Sequence, residues 1–137
     1  MKNSRRFFLK SSLLASAFSG GLANQLFASP GRGYGGPVVV STWNHGVQAN
    51  AEAWQVLQNG GSALDAAERG VMVTEADPEI TSVGYGGFPD RDGRVTLDAC
   101  IMDHKSRCGS VAVLEHIKHP VAVARKVMED TPHVMLA

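Results

Sequence analysis

Three groups of residues in this sequence have the types and spacing to do chemistry. The first is the stretch from Ser82 to Asp103, SVGYGGFPDRDGRVTLDACIMD, which opens on a turn dense in glycine at Gly84, Gly86 and Gly87. A backbone that lacks Cβ atoms can take positive φ and approach a ligand closely, although such a turn is more often an ordinary connection. Ser82, at its mouth, is either a hydroxyl serving a site or simply a turn former. The second group is Ser41-Thr42-Trp43-Asn44, which follows the apolar run Val38-Val39-Val40. Polar residues and a tryptophan at the end of a buried strand are well placed to line a cleft. From the residues alone, Trp43 divides evenly between cleft wall and core. The third group is five histidines, at 45, 104, 116, 119 and 133. Only His116 and His119 have helical spacing, and no cysteine stands beside them, so no metal site is expected. Asp98 and Asp103, five apart in a β-type run, point to opposite faces and are not a paired acid/base site.

The elements that position these groups follow from periodicity. Val38–Val40 reads as a strand buried on both faces. From Gln48 the apolar period changes to three and four through Ala49, Ala53, Val56 and Leu57, which predicts a helix ending at Asn59 before Gly60-Gly61. Trp54 is expected in the core on that helix. Ser62 can cap a second helix with Asp65 three residues on, and Asp77-Pro78 ends it. The small residues Ala63, Ala66, Ala67 and Gly70 offer it a close-packing face. Asp90, Arg91, Asp92 and Arg94 read as a solvated hairpin tip, followed by a β-type run over 94–103. A possible hairpin joins residues 99–103 to 109–114. His119-Pro120 opens a third helix with the apolar stripe Val121, Ala124, Val127 and Met128. Thr131-Pro132 ends it, and a further apolar segment begins at His133. Strands and helices alternate in blocks, as in helices packed on sheets.

Composition narrows the class. The 137 residues are 44% hydrophobic and 19% charged, and 13 basic residues balance 13 acidic ones. That is ordinary globular usage, so a disordered or fibrous chain is excluded, and no basic stripe points to nucleic acid. Residues 1–28 stand apart. Ser4-Arg5-Arg6-Phe7-Phe8-Leu9-Lys10 is similar to a twin-arginine export signal, and the apolar run that follows is too short for a membrane span. The periplasm is therefore the expected destination, with no membrane association after signal cleavage. Residues 29–37 read as a flexible mature terminus, and 38–137 as the folded part. The two cysteines, Cys100 and Cys108, suit an oxidising space, but free thiols are the preferred reading. The chain stops inside HVMLA with no closing turn, which suggests a fragment.

The words of this sequence, in order, are STWN, NGGSALDAAERG, SVGYGG with its PDRDG sequel, TLDACIMD, GSVAVLEHIKHPVAVARKVMED and TPHVML. Together they resemble the glycosylasparaginase (aspartylglucosaminidase) family of N-terminal-nucleophile hydrolases, over nearly all of 38–137. Plant-type asparaginases and isoaspartyl peptidases are similar, but usually carry a His-Gly-Gly-Ala-Gly-like segment where Ser-Thr-Trp-Asn stands here. The resemblance implies an α/β fold, a four-layer αββα sandwich of which this chain holds part. It implies a precursor that cuts itself into α and β subunits and frees a threonine as nucleophile, with no cofactor. The chain matches the α-subunit portion. The family's His-Asp-Thr cleavage triplet does not occur in it, and Thr131 is not the nucleophile. The implied partners are the β subunit from the same precursor, a glycoasparagine substrate, and further αβ units in an oligomer. Two site residues carry over: Trp43 as the aromatic wall against the substrate, and Ser82 as support beside the nucleophile. The competing expectations are a fragment of an asparaginase or isoaspartyl peptidase, and a non-catalytic periplasmic module.

Overall fold

The computed structural model describes residues 35–137. The segment read as an export signal, and most of that read as a flexible terminus, lie outside the described residues. Residues 35–37 are exposed and carry no regular element. The remainder, Val38–Ala137, is a compact unit by itself.

Its elements run α1 (Gly46–Gln58), α2 (Ala63–Ala76), a short 3-10 turn (Gly84–Gly86), β1 (Leu97–Met102), β2 (Cys108–Leu114), α3 (Pro120–Asp130) and β3 (Met135–Leu136). Helix α1 starts two residues earlier than its apolar period predicts. The Gly46 and Val47 amides donate to the carbonyls of Trp43 and Asn44 and add an extra turn. It stops at a left-handed glycine, Gly60, with φ +80°. The Gly61 amide returns to Val56 O at 2.9 Å and that of Gly60 to Leu57 O at 3.0 Å, which satisfies the last carbonyls in a Schellman pattern. Helix α2 begins at once with a reciprocal cap. Ser62 Oγ accepts the Asp65 amide at 3.1 Å, and Asp65 Oδ2 accepts the Ser62 amide at 3.3 Å. Caps of this kind contribute about 1 kcal/mol.

Only part of the small face of α2 is used. Gly70 comes so close to Ala49 of α1 that a Cβ there would lie 2.8 Å from the Ala49 carbonyl oxygen. Ala66 is buried, whereas Ala63 and Ala67 face outward. Trp54, expected in the core, is one of the exposed large side chains at 37%. The narrow alanine–glycine contact between the helices leaves no room for an indole.

β1 and β2 pair antiparallel, with Cys100 opposite Ser110 and Met102 opposite Cys108, and β3 joins β2 in parallel. The two cysteines are thus out of register and both free. The hairpin tip is Asp103–Arg107, not the Asp90–Arg94 turn. Asp103 accepts the amides of Lys105 and Arg107 on Oδ1 and the Arg107 guanidinium on Oδ2 at 2.7 Å. Burial alone would raise the Asp103 carboxyl, but these bonds, led by that of Arg107, hold it below the usual carboxylate range. The Asp90 turn does close on itself, through Asp92 and Arg94 amides on Asp90 Oδ1. No strand precedes it among the described residues, so it is a loop.

The expected strand at Val38–Val40 is not formed, and Val38 and Val40 are 65% and 81% exposed. A ladder needs a neighbour, and no described segment runs beside these residues. The core lies instead between the sheet and α3, where Ile101 and Val111 meet Val121, Ala124 and Val127. Each such aliphatic side chain contributes about 1.5–3 kcal/mol on burial. The α3 stripe read from the sequence is the stripe that is buried. The described unit is thus helices on a small mixed sheet. None of its helices is long and apolar enough to cross a membrane.

Gly109 is what allows α3 to approach β2. A Cβ there would overlap the Ala124 carbonyl and the Met128 amide, both backbone. Gly109→Ala is therefore expected to destabilise the unit by about 1–3 kcal/mol. Thermal melting of the variant beside the parent checks this, and an unchanged midpoint would mean that α3 does not sit so close.

Candidate functional site

A cavity of about 610 Å³ opens between the start of α1, the end of α2, the glycine turn and β1. Trp43 and Ser82 both stand on its wall, with Glu75, Asp98 and the first residues of α3. The lead into α1 positions Trp43, whose ring lies 11° from parallel to that of His45 with centroids 6.3 Å apart. The indole is 72% exposed, so it is a rim residue in this chain and not part of a core.

The glycine turn does make a close approach, but to its own chain. Gly84 has φ +63°, and a Cβ there would overlap the backbone of Glu75. Gly86 lies equally close to the carbonyls of Pro78 and Ile80. The Gly87 amide donates to Gly84 O at 3.0 Å and that of Phe88 to Thr81 O at 3.2 Å, closing the loop. Ser82 thus sits on a loop whose backbone is pressed against the end of α2.

Two polar features, one in the cavity wall and one beside it between α2 and α3, were not anticipated from the sequence. Glu75, on α2, is 3% exposed. Its Oε1 accepts the Val121 amide at 3.0 Å, which satisfies one free N–H at the start of α3. Burial pushes the Glu75 carboxyl up to about 7; the Val121 bond opposes this and the charge of Glu68 adds to it. Arg125, on α3, reaches back to α2, with Nη1 2.7 Å from Asp65 Oδ1 and 2.6 Å from Glu68 Oε2. Its Nε also donates to Glu129 at 2.9 Å. The Asp65 carboxyl is held low, first by the Ser62 hydroxyl and then by Arg125. The sequence did contain a signal for Glu75. It stands three residues after the apolar Met72, at helical spacing, and an acid on such a face needs a partner.

Across the cavity, Asp98 Oδ1 accepts the Val113 amide at 2.8 Å. Val113 has φ +58°, an outlier for a β-branched residue. This clasp sits beside the irregularity between Leu97 and Ala99 where the β1–β2 register shifts. Asp98 is strand-borne and Asp103 closes the hairpin, so the structure does not bring these two acids together. No cluster of three or more metal-binding side chains occurs among the described residues.

Comparison with known proteins gives the family. The profile of the family described as asparaginase matches residues 40–137. The chain belongs to the asparaginase family. Over 140 residues it is 56% identical to the N(4)-(Beta-N-acetylglucosaminyl)-L-asparaginase of Elizabethkingia miricola, a match that covers 99% of this chain and 41% of the relative. To the N(4)-(beta-N-acetylglucosaminyl)-L-asparaginase of Mus musculus it is 46% identical over 101 residues, 73% of this chain and 29% of the relative. To the isoaspartyl peptidase/L-asparaginase of Rattus norvegicus it is 44% identical over 90 residues, 65% of this chain and 27% of the relative. Within the family the resemblance is thus longer and stronger to the glycosylasparaginases. The chain spans about two fifths, or less, of the length of these relatives.

Strain at Val113 gives a direct test of the clasp. A left-handed L-residue costs about 1–2 kcal/mol, while glycine gives back about 0.5–1 kcal/mol in backbone entropy. Val113 is exposed and loses little packing. Val113→Gly is expected to raise stability by about 0–1.5 kcal/mol by these two figures, and Asp98→Ala to lower it. Calorimetry on both variants checks this, and a destabilised Val113→Gly would show that the valine side chain matters more than its backbone.

Proposed function

We propose that this chain is the N-terminal, α-subunit portion of an amidohydrolase that cleaves N4-(β-N-acetylglucosaminyl)-L-asparagine at the side-chain amide. The observation that carries the reading is the 56% identity to a bacterial N(4)-(Beta-N-acetylglucosaminyl)-L-asparaginase across 99% of this chain. The shared cavity of Trp43 and Ser82 supports it, because these are the two residues that the family resemblance marks.

In this reading the helices and mixed sheet are part of a four-layer αββα sandwich. The nucleophile is a threonine freed at the start of a β subunit by self-cleavage of one precursor. Its hydroxyl oxygen attacks the amide carbon, and its own α-amino group, with a pKa near 8, takes the proton. The tetrahedral oxyanion then collapses. The C–N bond breaks, the proton passes to the leaving sugar amine, and an aspartyl ester remains on the threonine. Water hydrolyses that ester and releases aspartate. Two hydrogen-bond donors are needed for the oxyanion. Trp43 would pack the acyl part and keep water from the amide, and Ser82 would support the nucleophile. No cofactor enters this scheme. The twin-arginine-like start supports export to the periplasm, and αβ units would associate further.

The second reading keeps the chemistry but takes free asparagine or isoaspartyl dipeptides. It is favoured by the 44% identity to the rat isoaspartyl peptidase/L-asparaginase and opposed by Ser-Thr-Trp-Asn after the apolar run Val38–Val40. The third, a non-catalytic periplasmic module, gains only if no nucleophile is encoded after Ala137.

The test is to read the gene beyond the Ala137 codon, express its full product, and measure aspartate release from the three substrates. Glycoasparagine should be turned over best, and this polypeptide alone should be inactive. In the full product, Trp43→Ala should lower glycoasparagine turnover by more than about tenfold, the scale of one lost well-packed wall. Turnover of free asparagine or isoaspartyl dipeptides alone would sink the first reading.

A further inference from the structure

Glu75, which is buried, and His119, which is partly exposed, form a pair through buried atoms that the hydrolase scheme does not use. Glu75 Oε2 lies 3.5 Å from His119 Nδ1, and neither atom has a hydrogen-bond partner among the described residues. Two unpartnered polar atoms facing each other in a buried place are costly unless something sits between them. A single proton satisfies both. Either the carboxylic O–H donates to the imidazole nitrogen, or the imidazolium N–H donates to the carboxylate. Both arrangements hold the same number of protons, so the site can pass between them with no exchange with solvent.

The pair sits where three pieces of the cavity wall meet. Glu75 Oε1 holds the start of α3 through Val121 N–H. His119 is the residue that precedes α3. The backbone of Gly84, two residues from Ser82, rests on the backbone of Glu75. Other charges bear on the pair from each side: Glu68 on α2 acts on Glu75, Arg69 on α2 and Lys118 ahead of α3 act on His119. Asp98 of β1 lines the same cavity.

We propose that Glu75 and His119 are positioning residues that share one proton, and that this proton fixes the Ser82–Gly84 wall against the start of α3. The pairing stands independently of the hydrolase reading; only its effect on a rate rests on that reading.

Sharing a proton sets a pH signature. The Glu75 carboxyl is raised, so its contribution to stability is complete below its ordinary value of 4.5 and is lost as pH rises through about 7. The His119 imidazole is lowered by burial, helped by Lys118 and Arg69. Its contribution is complete above its ordinary 6.5 and is lost as pH falls below that. The two slopes cancel between 4.5 and 6.5, where folded and unfolded forms each bind one proton. The pair's share of stability is therefore a plateau that falls away on both sides.

The experiment is a melting series against pH on the full product of the gene, with Glu75→Gln and His119→Asn, alongside 15N NMR of His119. Glu75→Gln keeps an acceptor for Val121 N–H and gives His119 Nδ1 an N–H, so it should fold. Relative to the parent, its Tm should climb from pH 4.5 to 6.5 and not fall beyond. His119→Asn should show the reverse, with Tm falling from pH 4.5 to about 7. In the parent, Nδ1 should resonate as a hydrogen-bonded nitrogen across the plateau, and lose that signature in Glu75→Gln. A parent His119 that titrates as a free imidazole at 6.5, unaltered by Glu75→Gln, overturns the proposal. Given turnover, Glu75→Gln should also flatten the alkaline limb of kcat/KM. A paired signature in a protein with no amidase activity upholds the pairing and counts only against the hydrolase reading.

Discussion

Helix α3 is clamped to α2 at two points by acids, and much else depends on that clamp. At its start, Glu75 takes the Val121 amide; one turn further on, Arg125 reaches Asp65 and Glu68. These contacts fix α3 in rotation as well as position. Its buried stripe then falls on Ile101 and Val111 of the sheet, and Arg125 stays on the opposite side against α2. The apolar contact supplies the bulk of the stabilisation, because burial scales with area. The polar contacts choose one orientation among the several that a short helix could adopt on a small sheet. Arg125 keeps 22% of its side chain exposed, so solvent screens part of its attraction. Three carboxylates around one guanidinium nevertheless hold its proton more firmly than usual, led by Asp65.

How much of this could be read from the chain depends on how local the cause is. The Ser62–Asp65 cap, the glycine stop after α1, proline at the start of α3 and the α3 stripe are all written within a few residues of where they act. Each is present in the structure. Val38–Val40 fails for the opposite reason. Its apolar run demands burial, but a strand exists only with a neighbour, and the neighbour is not a local property. Trp54 fails because helix contact here is set by Ala49, Ala53 and Gly70, which exclude large side chains from the seam.

The site divides along the same line. Trp43 and Ser82 were visible as residue types beside a strand end and a turn, and their words carried the family resemblance. That they line one cavity is a result of the fold, since they stand 39 residues apart in the sequence. Glu75 was missed because its partners, Val121 and His119, lie on a helix start more than 40 residues away. A lone acid on an apolar stripe signals only that some partner must exist. The glycine turn was legible as a place of close approach, while the identity of what it approaches was not.

That turn has a consequence for how the site can change. Its close contacts are made by backbone, Gly84 on Glu75 of α2 and Gly86 on Pro78 and Ile80 just beyond that helix, whereas the side chains of Ser82, Val83 and Tyr85 are exposed. The loop is a fixed mount with interchangeable fittings. Exchanging Ser82 or Val83 alters the cavity wall while leaving the mount in place, and exchanging the glycines removes the mount.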